Sequence, residues 1–244
     1  MSSGPLARVL DSLENVAGDS ARPTPRLVAV GKTREAGEIA TLAAEWDALR
    51  PGATLAFAEN YVQEAAAKVA ALEGCRIEWH LIGHLQSNKA AQAATLFDWV
   101  QSVDRPKLVK ALAAARDPGR APLNVLIQTN VDGEAGKHGC APGEVPALAA
   151  AVAAEPTLAL RGLMAIPEPH PDMAQRRKAF AAMGQLHEAL RAEYPGADTL
   201  SMGMSADFVL AIAEGATMVR IGTALFGPRP AGDNGRTRIQ ETAP

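Results

Sequence analysis

Between residues 27 and 227, short apolar runs alternate with stretches of helical spacing, and this alternation repeats eight times. Leu27–Val30 is followed by Ile39, Leu42, Ala43, Trp46 and Leu49, which share one helical face. Thr54–Phe57 precedes an alanine-rich helical stretch from Tyr61 to Leu72, and Arg76–Ile82 precedes a polar one near Ser87–Ala94. Phe97–Val103 leads to Lys107–Ala115, and Leu123–Thr129 leads through Gly133, Gly136 and Gly139 to Val145–Ala153. Leu158–Ile166 ends at Pro167, Pro169 and Pro171, and the long helix beyond aligns Phe180, Met183, Leu186 and Leu190. Thr199–Met202 with Ala206–Ala213, and then Met218–Ile221, complete the series. Eight strand-then-helix units predict a single-domain α/β fold, a (β/α)8 TIM barrel. A doubly wound open sheet is the alternative that gives the same alternation.

The length of 244 residues suits one such barrel, which typically needs about 250. A 48% share of hydrophobic residues, enough for a sizeable core, and a net charge of −3 describe a globular chain without general attraction to nucleic acid or anionic membrane. No apolar stretch reaches the roughly 18–20 residues of a membrane span, and Asp11 and Glu14 interrupt the only leader-like segment. Cys75 and Cys140 form no CxxC pair, which suits a reducing compartment. A cytoplasmic protein is expected, with a helix from Pro5 to Ala17, a barrel domain over residues 1–227, and a disordered polar tail over 228–244.

In a barrel, chemistry belongs at the C-terminal ends of the strands. Here those ends carry Lys32-Thr33, Glu59-Asn60, His80 with Gly83-His84, Ser102 with Asp104-Arg105, Gln128 with Asn130, Ser201 through Ser205, and Arg220 through Thr223. Lys32 stands just past the apolar run Leu27–Val30. An amine there reaches into a pocket, where burial disfavours the ammonium form and favours a nucleophile or Schiff-base partner. Ser205, read as a helix N-cap, and Gly222-Thr223, at the start of the segment after the last strand, offer hydroxyls and N–H groups to an anion. Barrels often bind phosphate at these two exits. Arg220, inside an apolar run, must be paired with a carboxylate such as Glu59 or Asp207 or must face a ligand. An amine, a phosphate cradle and a buried arginine together describe a site for pyridoxal 5′-phosphate (PLP).

The segments VAVGKT, AENYVQE, WHLIGHLQSNK, QSVDR, SMGMSADF and VRIGTALFG resemble those of the pyridoxal phosphate homeostasis protein family, in order from about Leu27 to Gly227. That family resembles the N-terminal barrel of alanine racemases. The resemblance implies that Lys32 forms the internal aldimine with PLP and that Asn60 lines the pocket. It implies that Ser205, Gly222 and Thr223 hold the phosphate, that Arg220 faces the pyridine nitrogen, and that His80 and Met202 border the ring. It further implies a PLP carrier in vitamin B6 and amino-acid balance, with apo PLP-dependent enzymes as recipients; a monomer is expected. Gly31 stands where family members often have serine, which suggests slack beside the lysine. Ala58 replaces the usual glycine, which suggests a narrower approach beside Asn60.

Other chemistries fit less well. Gly31-Lys32-Thr33 ends like a P-loop, but Arg26 occupies the first glycine's position and a strand fills the loop. His80 and His84 are spaced HxxxH, but Leu81 replaces the metalloprotease glutamate and Gly83 breaks a helix, so pocket or structural roles are expected. Gly133, Gly136 and Gly139 with Lys137 are read as a surface loop, and Asp104-Arg105 as a helix cap. A small PLP enzyme with weak amino-acid racemase activity is the second functional class. Racemisation needs another acid/base on the opposite face, and neither Tyr61 nor Tyr194 is expected to supply it.

Overall fold

The computed structural model describes residues 4–228, except 135 and 169. The expected tail falls outside these residues but for its first member. Eight parallel strands close into a barrel: β1 (Arg26–Val30), β2 (Leu55–Glu59), β3 (Ile77–Leu81), β4 (Trp99–Val103), β5 (Leu123–Gln128), β6 (Leu158–Met164), β7 (Thr199–Met204) and β8 (Met218–Ile221). Closure rests on β1, which pairs with β2 through Val28 and Ala56 and with β8 through Val28 and Arg220. An open sheet is therefore excluded.

The outer layer is α1 (Pro5–Asp19), α2 (Ala36–Leu49), α3 (Val62–Ala71), α4 (Ala90–Leu96), α5 (Pro106–Ala115), α6 (Val145–Ala153), α7 (Met173–Glu193), α8 (Phe208–Ala213) and α9 (Thr223–Phe226). Helix α1 begins at a proline, which tolerates the first helical position because its missing N–H would be unpaired there. It buries Leu6, Val9, Leu13 and Ala17, one face of a 3.6-residue repeat, against α2, α8 and α9. The expected helix near Ser87 is a 3₁₀ turn (Ser87–Lys89) running into α4. Among the described residues no helix is long and apolar enough to cross a membrane.

Strand side chains alternate between two cores. Leu27, Ala29, Phe57, Leu81, Val100, Ile127, Leu163 and Val219 point outward into one large apolar cluster with the helices. Val28, Ala56, Ala58, Trp99, Leu126, Met164 and Met218 form a smaller cluster inside the barrel. Each fully buried leucine or phenylalanine contributes roughly 1.5–3 kcal/mol.

Candidate functional site

The strand exits place six expected residues around one cavity. Lys32, Asn60, Ser205, Arg220, Gly222 and Thr223 line a space of about 380 Å³, with Val30, Arg34, Ile82, Ile166 and Met204 among its other walls. Lys32 is half-buried at the end of β1. Its loop is held on both sides. Thr33 adopts φ 67°, a left-handed conformation that non-glycine residues avoid and that persists only where surroundings enforce it. Arg34 donates to the carbonyls of Gly227 and Pro228 at 2.8 and 3.1 Å and lies 5.6 Å from the Phe226 ring, tying this loop to the end of α9.

Gly31 provides no slack. A Cβ there would stand 1.9 Å from Phe57, whose buried ring packs edge-on against Trp79 and Phe226. The phenyl ring occupies the space a side chain would need, so glycine is the consequence of close packing. Lys68 on α3 donates to the Gly31 carbonyl at 3.0 Å and to Glu59 Oε1 at 2.6 Å. Burial pushes the Glu59 carboxyl up to about 7, against the lowering effect of Lys68. This pair, bonded to the carbonyl of the residue before Lys32, was not legible in the sequence.

Asn60 is fixed through its backbone. A Cβ on Gly83 would lie 2.0 Å from the Asn60 carbonyl oxygen, so the loops after β2 and β3 touch only because residue 83 is glycine. The Asn60 Oδ1 atom is buried without a hydrogen-bond partner. Such an atom costs about 1–3 kcal/mol unless a ligand or water satisfies it. Ala58 points into the barrel, in the inner apolar cluster that Val30 and Ile82 pack against, and is not among the residues that line the cavity.

Ser205 is not an N-cap. Strand β7 runs two residues beyond Met202, and the N-cap of α8 is Asp207, whose Oδ1 accepts from the Met204 N–H at 2.7 Å. Ser205 instead sits in the turn between them, on the cavity wall. Gly222 caps α9 and Thr223 begins it. The same longer strand corrects Met202, which is fully buried in the outer core; Met204 lines the cavity in its place.

Arg220 is buried at the cavity floor. Its direct partners are neutral: Nη1 donates to Ser201 Oγ at 2.7 Å and Nη2 to the Ala165 carbonyl at 2.9 Å. Glu59 is taken by Lys68, and Asp207 acts on Arg220 only as a nearby charge. Burial lowers the guanidinium to about 10, which still leaves it cationic near neutrality.

From Arg220 a hydrogen-bonded chain descends through the barrel. Ser201 Oγ donates to Gln101 Oε1 at 2.7 Å, and Gln101 Nε2 meets His80 Nδ1 at 2.8 Å. His80 Nε2 meets Glu78 Oε1 at 2.6 Å, and Arg26 closes the chain on Glu78 at 2.7 Å. The amide orientation of Gln101 makes Nδ1 of His80 the acceptor and puts its proton on Nε2. Burial keeps the imidazole below its usual pKa, and the ring stacks on Trp99 with centroids 5.2 Å apart. Burial also pushes Glu78 upward, but the contacts with His80 and Arg26 outweigh it and hold the carboxyl below its usual range. His80 thus does not border the cavity; it belongs to the chain beneath Arg220. A histidine inside a strand carries no local sign of which face it occupies; for the same reason Gln101 was not singled out, and Ser201, noted among the strand exits, was not read as a partner of Arg220.

The family model for the N-terminal domain of alanine racemase matches residues 6–230. A relative from Pseudomonas aeruginosa named pyridoxal phosphate homeostasis protein is 49% identical over 226 residues, covering 93% of each chain. The chain belongs to the pyridoxal phosphate homeostasis protein family. Two solved structures of PipY from Synechococcus elongatus share its fold. The one without PLP is 35% identical with a TM-score of 0.79 and covers 91% of this chain and 98% of its own. The one described as having PLP bound is 34% identical with a TM-score of 0.72, covering 88% and 99%.

Proposed function

We propose that this family member binds PLP in the rim cavity, with the Lys32 ε-amine as the covalent attachment point, and releases it to apo-enzymes that need it. The observation that carries the proposal is the convergence of Lys32, Asn60, Ser205, Arg220, Gly222 and Thr223 on one cavity from four different strand exits. The fit is chemical as well as spatial. An amine, a buried unsatisfied amide oxygen and a buried guanidinium without a carboxylate contact suit a ligand carrying an aldehyde, a ring and a phosphate. Ser205, Gly222 and Thr223 would hold the phosphate through hydroxyls and backbone N–H groups. Asn60 would orient the ring, and Arg220 would face its nitrogen. When bound, PLP supplies an electrophilic aldehyde conjugated to an electron-withdrawing ring.

The chain's own residues favour holding over turnover. Arg220, cationic and held by Ser201 and Ala165, is too weak an acid to protonate the ring nitrogen, as a carboxylic acid in its place could. Among the described residues, those lining the cavity include no histidine, tyrosine or carboxylate to act opposite Lys32.

The test is incubation of the PLP-loaded protein with single L-amino acids in deuterated water, alongside an apo PLP-dependent enzyme. Recovery of the recipient's activity without multiple-turnover exchange of the α-proton is expected. Repeated exchange would overturn the carrier reading in favour of a weak racemase.

A further inference from the structure

The HxxxH pair of the third strand exit is split by the fold. His80 turns into the barrel, whereas His84 stands on the rim, in contact with two residues from other loops. His84 follows β3, Asp104 follows β4 and His138 lies in the loop after β5. One ligand-capable atom from each falls within 4.8 Å of the other two. The imidazoles of His84 and His138 stack with centroids 3.7 Å apart and planes 13° from parallel, and His84 Nδ1 is 3.7 Å from Asp104 Oδ2.

We propose that His84, Asp104 and His138 form a binding site for a divalent first-row transition ion of the imidazole-preferring kind, such as zinc, cobalt or nickel. Two imidazoles and one carboxylate are a ligand set these ions accept, whereas magnesium and calcium require oxygen ligands. The cluster faces solvent at both histidines, so three protein ligands leave coordination positions open to water.

The backbone around each ligand is anchored independently of any ion. Arg105 donates to Asp104 Oδ1 at 2.5 Å and to the Leu85 carbonyl at 2.8 Å, which ties the β4 exit to the His84 loop and leaves Oδ2 on the histidine side. Gln128 donates to the His138 carbonyl at 3.3 Å, and the Cys140 N–H donates back to Gln128 at 2.9 Å, which pins the third loop to β5. Such outer partners orient metal ligands and reduce the ordering cost of binding. Arg105 works against a cation. The expected affinity is therefore moderate, with a structural role in linking three rim loops.

The test is titration of the full chain, freed of any purification tag, with cobalt(II), followed by visible absorption, with zinc(II) as competitor. One stoichiometric equivalent is expected, weakened about tenfold or more in His84→Ala, His138→Gln and Asp104→Asn. Zinc should raise the Tm of the wild type and leave that of His138→Gln where it stands in chelator-treated buffer. Since the comparison is of each protein with and without metal, a shift in baseline stability does not mask it. Unchanged affinity in the His84→Ala/His138→Gln double variant, no stoichiometric binding by the wild type, or thiolate charge-transfer bands pointing to the exposed Cys75 would each overturn the site.

Discussion

The strands of this barrel bury their outward faces among leucines, valines and phenylalanines from the helices, while their inward faces bury His80, Gln101, Ser201 and Arg220 beside a few apolar side chains. Both regions exclude solvent, save where Arg26 and Glu78 open the inner one at the base of the barrel, but they do so for different ends. The outer core offers no directional interaction and tolerates any well-packed apolar set. The inner one is a single hydrogen-bonded chain in which each group fixes the next, from Arg26 at the start of β1 to Arg220 under the cavity. Buried polar chains of this kind lose much when one member is removed, because its neighbours are left unpaired. Stability is therefore expected to reside mainly in the outer core, and the shape of the site in the inner one.

Truncation separates the two most sharply. Phe180→Ala empties a fully buried outer position and should cost about 3–5 kcal/mol in denaturant unfolding, with PLP affinity of the folded protein unchanged. Ser201→Ala should cost less, about 1–3 kcal/mol, yet weaken PLP retention by freeing Arg220 Nη1. If Phe180→Ala loosens the cofactor as much as Ser201→Ala does, the division fails.

The Glu59–Lys68 pair lies between these regions and adds a pH dependence. Because the folded-state pKa of Glu59 is raised from 4.5 to about 7, the protonated carboxyl is favoured by folding. Its contribution is full below about pH 4.5 and is lost as pH rises through about 7. In Glu59→Gln the fall in Tm between about pH 4 and about pH 8, an interval that brackets this range, should be smaller than in the wild type. An identical fall in the two proteins would remove Glu59 as its source. The smallest contrast is on the rim itself, where Ser205→Ala should raise the PLP dissociation constant more than Thr33→Ala does, since Ser205 lines the cavity and Thr33 does not. Equal constants would count against phosphate at Ser205.

Alternation alone made the fold legible, and it located β8 and the helix Val145–Ala153 to the residue. It shortened β7, because Gly203 and the shift in pairing between Ser201 and Met204 disguise the strand's end. That one error carried two others, the N-cap at Ser205 and the ring contact at Met202. The cavity residues were readable because a charged or amide side chain directly after an apolar run has few places to point. The inner chain was not, since Gln101 and Ser201 are separated by 100 residues and meet only through closure of the barrel. Gly31 was misread for a related reason: its constraint is the ring of Phe57 on the next strand, which no local pattern reveals.

The most direct test of the account is borohydride reduction of the PLP-loaded protein followed by peptide mass mapping. A single cofactor adduct on Lys32, absent from Lys32→Ala, is the predicted result. An adduct on Lys68 or another lysine in place of Lys32, or none at all, would contradict it.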